Sequence, residues 1–218
     1  MKRLGWYSFL CGASVAISPA AAIEFDHGTT KAGHGYVVVS GEISEDSPAA
    51  FEAYISSLSS KAQFVMLDSP GGSVIGGVGL GEAIRAADMS TVVPGDSECA
   101  SSCAFAFIGG SSRMVFDGGK LGVHQFRWEG DIESAEAVES SQSFAGVLMA
   151  YFRSMGVSSE VLTVAMMTPP SSMYYFSPGE LKAFGLVTPP PVAAGEEPCP
   201  FPPGHKVSDP LGLFPQCK

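Results

Sequence analysis

Three short segments of this sequence carry residue types suited to acyl-transfer chemistry. Ser101 lies in the run Glu98–Phe105, where small residues lead into an apolar helix, and His124 follows an apolar strand pattern. A serine within hydrogen-bond reach of a histidine can act as a nucleophile activated by a general base. The third segment, Asp68–Val74, is a Gly-rich turn between a strand and a helix, whose exposed N–H groups could hold an oxyanion. Alone, each segment has an ordinary structural explanation as a helix cap, a surface histidine or a tight turn.

The elements that must position these residues alternate between strands and helices. The β-branched run Tyr36–Gly41 and the continuously apolar run Phe64–Leu67 predict strands, the second buried on both faces as in a parallel sheet. Helices are predicted over Glu42–Ser60 and over Val74–Ala87, where four glycines indicate close packing against other backbone. Residues 23–35 show no clear period. Further strands are predicted over 91–93, 114–116 and 121–126, and further helices over 100–107, 133–155, 159–166 and 178–184. This alternation predicts an α/β fold of repeated β-α-β units around a parallel core sheet.

In order and spacing, the three segments resemble the proteolytic subunit of Clp protease and its relatives in the Clp/crotonase fold. That family shows Ser-Pro-Gly-Gly, then Ser-Met-Gly-Ala-Phe, then a His-Gln pair. The matching residues here are Ser69–Gly72, Ser101–Phe105 and His124-Gln125. The stretch Tyr175–Val187 resembles the segment that closes the family's domain. Four motifs in order, spread over roughly 36–187, imply a Clp/crotonase-like domain over residues 23–187.

The resemblance implies a role for each matching residue. Ser101 would be the acyl nucleophile and His124 the general base of an exported serine-type peptidase. The backbone N–H groups of Gly72 and Ser102 would form the oxyanion hole. A peptide or protein substrate is implied, with no metal and no organic cofactor. Because Clp subunits form rings and crotonases form trimers, the resemblance also implies a homo-oligomer.

One departure from the family concerns the acid of the triad. The family's Asp falls at Met173, which is flanked by Ser171, Ser172 and Tyr174. A hydroxyl of Ser171 or Ser172, a carboxylate in the insertion after Asp131, or a neighbouring subunit could orient the histidine instead. Two function classes therefore stay open: an active serine hydrolase, and a catalytically weak or inactive domain that binds peptides or a partner protein.

A second departure is the pair of cysteines on either side of Ser101. Cys103 replaces a family glycine, and Cys99 precedes the serine by two residues. With Cys199 and Cys217 they make an even number of candidate disulfide cysteines, and sequence proximity favours Cys99 with Cys103 and Cys199 with Cys217. A Cys99–Cys103 disulfide would brace the turn that presents Ser101. A catalytic Cys103 is disfavoured because no local base or charge indicates a lowered pKa.

The two ends of the chain differ in composition from the middle. Residues 1–22 combine Lys2 and Arg3, an apolar stretch over 4–17 and small residues up to Ala22, a pattern that predicts a signal peptide. We therefore expect a periplasmic or secreted protein with no stable membrane span after cleavage. Residues 188–218 form a Pro/Gly-rich tail, with Cys199 and Cys217 as a candidate pin. A formal charge of −10 without a Lys/Arg cluster argues against nucleic-acid binding.

Overall fold

The computed structural model describes residues 22–126 and 134–188, and within them the chain alternates between strands and helices. The fold is mixed α/β with an eight-stranded, mainly parallel sheet, which confirms the predicted class. The elements are β1 (Glu24–Thr29), β2 (Gly35–Ile43), α1 (Ser47–Ser57), β3 (Ala62–Gly72), α2 (Val74–Ala86), β4 (Ser90–Val93), β5 (Glu98–Ala100), α3 (Ser102–Ile108), β6 (Arg113–Val115), β7 (Lys120–Val123), α4 (Ser134–Ser154), α5 (Glu160–Met167), β8 (Tyr174–Tyr175) and α6 (Pro178–Ala183).

Strand β3 organises the sheet because it pairs with different strands along its length. On one side β2 runs parallel to it from end to end. On the other side its first half pairs with β4, through Phe64 and Ser90, while its end pairs with β5, through Ser69 and Cys99. Strand β4 continues to β6 and β5 to β7, all parallel, whereas β1 and β8 are added antiparallel at the two edges. The carboxyl ends of β3, β5 and β7 therefore lie side by side.

The glycines of α2 allow this helix to lie directly against other backbone, as the sequence predicted. A Cβ atom at Gly77 would lie 2.3 Å from the carbonyl oxygen of Ser102, and one at Gly81 would lie 2.7 Å from that of Phe105. Both carbonyls belong to α3, every residue of which is buried. Close packing of α2 thus fixes the position of the helix that starts immediately after Ser101.

A buried arginine joins three distant parts of the chain. Arg113 is 4% exposed, and burial, followed by the nearby Arg85, lowers its pKa to about 10, so it stays cationic at neutral pH. Its guanidinium reaches the ends of α3 and α4 and the chain after α6, where a cation suits the unpaired carbonyls of helix C-termini. The acceptors are the carbonyl oxygens of Leu186 (3.0 Å), Gly185 (3.0 Å), Gly110 (3.1 Å), Ile108 (3.3 Å) and Met155 (3.3 Å).

The structure differs from the sequence-based expectation in several elements. Strand β1 lies within residues 23–35, where no period was visible, and β5 and β8 are too short to show one. The predicted turn over 68–74 is mostly strand, because β3 continues to Gly72 and α2 begins after the single residue Ser73. Residues 1–21 of the predicted signal segment, residues 127–133 at the start of the predicted insertion and residues 189–218 of the predicted tail lie outside the described residues. None of the described helices is long and apolar enough to cross a bilayer.

Candidate active site

The hydroxyl of Ser101 and the imidazole of His124 form a hydrogen bond. The distance from Ser101 Oγ to His124 Nε2 is 2.9 Å. The two side chains meet because Ser101 directly follows β5, His124 directly follows β7, and these parallel neighbours pair Ala100 with Gly122. Residues at the carboxyl ends of adjacent parallel strands are a common source of ligand-binding and catalytic groups. A histidine in this position can remove the hydroxyl proton and make the serine oxygen nucleophilic.

Ser101 has a backbone conformation that L-amino acids rarely adopt. Its φ is 56° and its ψ is −126°, in a one-residue turn between β5 and α3. The Ser101 N–H donates to the carbonyl of Gly122 (2.9 Å), and the Ser101 carbonyl accepts from the N–H of Ala104 (3.0 Å). Such a conformation costs of order 1–3 kcal/mol and persists only where the surroundings enforce it. A sharp strand–serine–helix turn is also how α/β-hydrolases expose their nucleophile, although that fold is different.

The glycines at the end of β3 lie against the Ser101 turn. Gly71 has a φ of +96°, and a Cβ atom there would lie 2.7 Å from Ser101 Cβ and 2.9 Å from Ser102 N. The Gly71 N–H donates to Ser69 Oγ (3.1 Å), whose hydroxyl donates in turn to the carbonyl of Gly41 (2.6 Å). Sequence reasoning gave Ser69 no role of its own, yet its buried hydroxyl links the end of β3 at Gly71 to Gly41 of β2. Its place at the start of Ser-Pro-Gly-Gly was the available signal.

Gly72 and Ser102 are the two residues expected to supply oxyanion donors. Ser102 is the first residue of α3, so its N–H has no acceptor within that helix. Gly72 pairs with Ile43 of β2, and the Ile43 carbonyl accepts from the N–H of Ser73 (2.8 Å). The Ser102 side chain is fully buried, and its Oγ has no hydrogen-bond partner among the described residues. The Ser102 side chain lies against α2, where a Cβ atom at Gly77 would be 2.8 Å from Ser102 Cβ.

A disulfide spans the Ser101 turn. Cys99 in β5 is bonded to Cys103 in α3, with their Cα atoms 5.1 Å apart, which confirms the pairing favoured by proximity. Both residues are 0% exposed. Cys199 and Cys217 lie outside the described residues, so their pairing stays a prediction.

The segment after His124 is attached to the end of α5. The Gln125 N–H donates to the carbonyl of Thr168 (2.9 Å), and the Gln125 side chain donates to the carbonyl of Met166. Sequence reasoning missed this contact, for which a His-Gln pair alone gives no signal. Across from His124, β8 pairs Tyr174 with Val123, so the antiparallel register carries Met173 next to His124. Met173 is the residue at the sequence position where the resemblance expects an acid, and its Cγ would lie 2.9 Å from a Cβ atom at Gly122. Asp131 lies outside the described residues.

The nearby carboxylates of β5 and α6 bond to tyrosines. Tyr175 donates to Glu98 (2.8 Å), and burial, with this bond second, raises the pKa of Tyr175 to about 12. Tyr174 donates to Glu180, whose pKa is lowered by the Ser177 hydroxyl first and by Tyr174 second. A cavity of about 490 Å³ lies beside Ser69 and Pro70 of β3, and its lining includes the carboxylates of Glu24, Asp68 and Glu98.

Over the described residues, no group of three His, Cys, Asp or Glu side chains is placed to hold a metal ion. Comparison of the chain with known proteins gives no further assignment: no protein-family model matches it. No curated protein matches it either.

Replacing Ser101 by glycine should make the protein more stable than replacing it by alanine. Alanine keeps a Cβ atom at φ 56°, whereas glycine adopts this region freely. The release of roughly 1–2 kcal/mol of strain exceeds the entropy cost of glycine, so we expect Ser101→Gly to be about 1 kcal/mol more stable than Ser101→Ala. Urea unfolding of both variants measures the difference. A glycine variant no more stable than the alanine variant would show that Ser101 is unstrained.

Proposed function

We propose that this chain is a serine hydrolase, a peptidase of the Clp type, that cleaves peptide bonds through an acyl-enzyme at Ser101. The observation that carries the proposal is the 2.9 Å bond between Ser101 Oγ and His124 Nε2, made by a serine in a strained backbone conformation. Strain of this kind is kept where function uses it. The ordered Clp-like motifs support the peptide substrate, and the sequence of residues 1–22 supports export to the periplasm or beyond.

The proposed reaction proceeds in two halves. His124 Nε2 accepts the Ser101 proton as Oγ attacks the scissile carbonyl, and the N–H groups of Gly72 and Ser102 donate to the resulting oxyanion. The imidazolium then gives its proton to the leaving amine, and the C–N bond breaks to leave an ester at Ser101. In the second half His124 takes a proton from water, the hydroxide adds to the ester carbonyl, and the proton returns to Ser101 as the acid product leaves.

A second candidate function is peptide or partner-protein binding without turnover. Met173, next to His124, is the observation that favours it, since an acid normally orients the imidazole and stabilises its protonated form. The strained backbone of Ser101 favours hydrolysis, because a site that only binds would gain nothing from a serine held in a conformation that destabilises the fold. We therefore place hydrolysis first.

We also propose that this chain forms a homo-oligomer, as the resemblance to Clp subunits and crotonases implies.

Labelling with a fluorophosphonate tests the proposal, because this probe reacts with activated serines. We expect the purified full chain to gain one adduct, located at Ser101 by mass spectrometry of the peptide. Ser101→Ala should show none. Ser57→Ala is the matched control, since it removes an exposed hydroxyl that bonds only to its own helix. An unlabelled wild-type chain, or equal labelling of the Ser101→Ala variant, would contradict hydrolysis and favour the binding function.

A further inference from the structure

The Cys99–Cys103 disulfide encloses the candidate nucleophile. Its loop contains only Ala100, Ser101 and Ser102, so it spans the serine and one proposed oxyanion donor. We propose, on the basis of the proposed hydrolase function, that this disulfide positions the nucleophile of the site. It holds Ser101 in the conformation that aims Oγ at His124, and the serine becomes reactive only once the bond has formed during folding.

The geometry of the turn fits a constraint of this kind. Four residues of extended chain span about 13 Å, whereas the Cα atoms of Cys99 and Cys103 are 5.1 Å apart. An ordinary residue preceding a helix takes an extended conformation with negative φ, and its side chain caps the helix. Ser101 instead has a φ of 56° and makes no side-chain cap. The hydrogen bonds to Gly122 and Ala104 hold one peptide group on each side of Ser101, and the disulfide is the covalent link across it.

Burial of both cysteines makes this a step of folding rather than a reversible switch. With both residues 0% exposed, a thiolate cannot reach either sulfur in the folded chain. The bond must therefore form before the turn closes. Two cysteine thiols lose two protons and two electrons to a disulfide-bonded oxidant by thiol–disulfide exchange, and the oxidant leaves as a dithiol. A chain that folds without this oxidation carries every proposed catalytic group but leaves Ser101 free to relax.

The test compares one sequence in two redox states. The other cysteines, Cys11, Cys199 and Cys217, are replaced by serine so that reduction affects this pair alone. The chain is unfolded and refolded either with oxidised glutathione or with dithiothreitol, and its fold is checked by circular dichroism. Fluorophosphonate kinetics then separate the maximal inactivation rate from the probe concentration at half-maximal rate. We expect reduction to lower the maximal rate by about 10²-fold, the cost of misplacing a reacting group by about 1 Å, with the half-maximal concentration unchanged.

The possible results distinguish the positioning role of the disulfide, the hydrolase proposal and the role of burial. Equal maximal rates in the two folded forms would overturn the positioning role while leaving the hydrolase proposal intact. No labelling of Ser101 in the oxidised form would overturn the hydrolase proposal itself. Dithiothreitol added to the folded, oxidised chain should leave labelling unchanged, and rapid loss of labelling there would overturn the role of burial.

A second variant covers the case in which the reduced chain does not fold. Gly146 is exposed within α4, with open space where a Cβ would lie, so Gly146→Ala should raise the melting temperature. In this background, Cys99→Ala/Cys103→Ala is compared with the parent below the melting temperature of both. A loss of maximal rate without loss of helical signal supports positioning. An unchanged rate rejects it.

Discussion

Replacing His124 with alanine is expected to slow acylation of Ser101 by about 10²–10⁴-fold, the usual contribution of a general base. The variant keeps the serine, the disulfide and the Gly71-Gly72 turn, and loses only the group whose Nε2 lies 2.9 Å from Ser101 Oγ. The second-order rate constant for the fluorophosphonate, and the hydrolysis rate of an activated ester, measure the effect. Added imidazole should restore part of the rate by taking up the proton from solution.

His34→Ala is the matched control for the loss of an imidazole. His34 immediately precedes β2 and hydrogen bonds to the side chain of Gln63 at the start of β3. It therefore lies at the amino ends of the parallel strands, opposite the end that carries Ser101. We expect the His34→Ala variant to be acylated at the same rate as the wild type. Similar rates for His124→Ala and His34→Ala would mean that His124 does not serve as the base.

Replacing Gly71 with alanine is expected to have the second large effect, on activity and stability together. The new Cβ would lie 2.6 Å from the Ala100 carbonyl oxygen and 2.7 Å from Ser101 Cβ, and backbone cannot move aside cheaply. We expect a loss of a few kcal/mol in unfolding free energy, as for other overpacked sites. Acylation should fall by about 10²–10³-fold, the cost of losing one oxyanion donor, because the clash would displace the adjacent Gly72 N–H from the carbonyl bound at Ser101.

Gly33→Ala separates the effect of backbone conformation from that of crowding. Gly33 has a φ of +86°, close to the +96° of Gly71, but nothing lies within 4 Å of its Cβ position. Its substitution should cost roughly 1–2 kcal/mol and leave acylation unchanged. Urea unfolding and probe kinetics on both variants give the comparison. If Gly71→Ala acylates as fast as Gly33→Ala, the Gly71-Gly72 turn takes no part in the oxyanion site.

The long elements of this fold were predictable because each carries its own pattern. The apolar run 64–67 marks the buried centre of β3, and the glycines of α2 indicated close backbone packing. Strand β1 was missed because it is an edge strand whose Glu24, Asp26 and His27 are exposed, which leaves no clear apolar alternation to detect. Strand β5 exists only through its pairing with β3 and β7, which three residues cannot reveal.

The candidate site likewise has one feature that the sequence could predict and others that it could not. The resemblance to the Clp family implied that Ser101 and His124 act together, and the structure has them directly after the neighbouring strands β5 and β7. The positive φ of Ser101 was not predictable, because serine has no intrinsic preference for that region and only the surrounding contacts impose it. The attachment of Gln125 to the end of α5 likewise depends on tertiary packing between segments 41 residues apart.

The arginine described at the start of β6 also bears on the order in which the protein can fold. The Arg113 guanidinium donates to the carbonyl of Leu186, 73 residues later in the chain, and to that of Gly185 beside it. As the chain emerges from its amino end, water solvates the guanidinium, and its full set of protein acceptors is present only when nearly all of the described residues have emerged. The hydroxyl of Thr188 also accepts from the backbone N–H of Arg113 (2.8 Å). We therefore expect the burial of Arg113 to be a late step in folding, since its partners near residue 186 are among the last described residues to emerge.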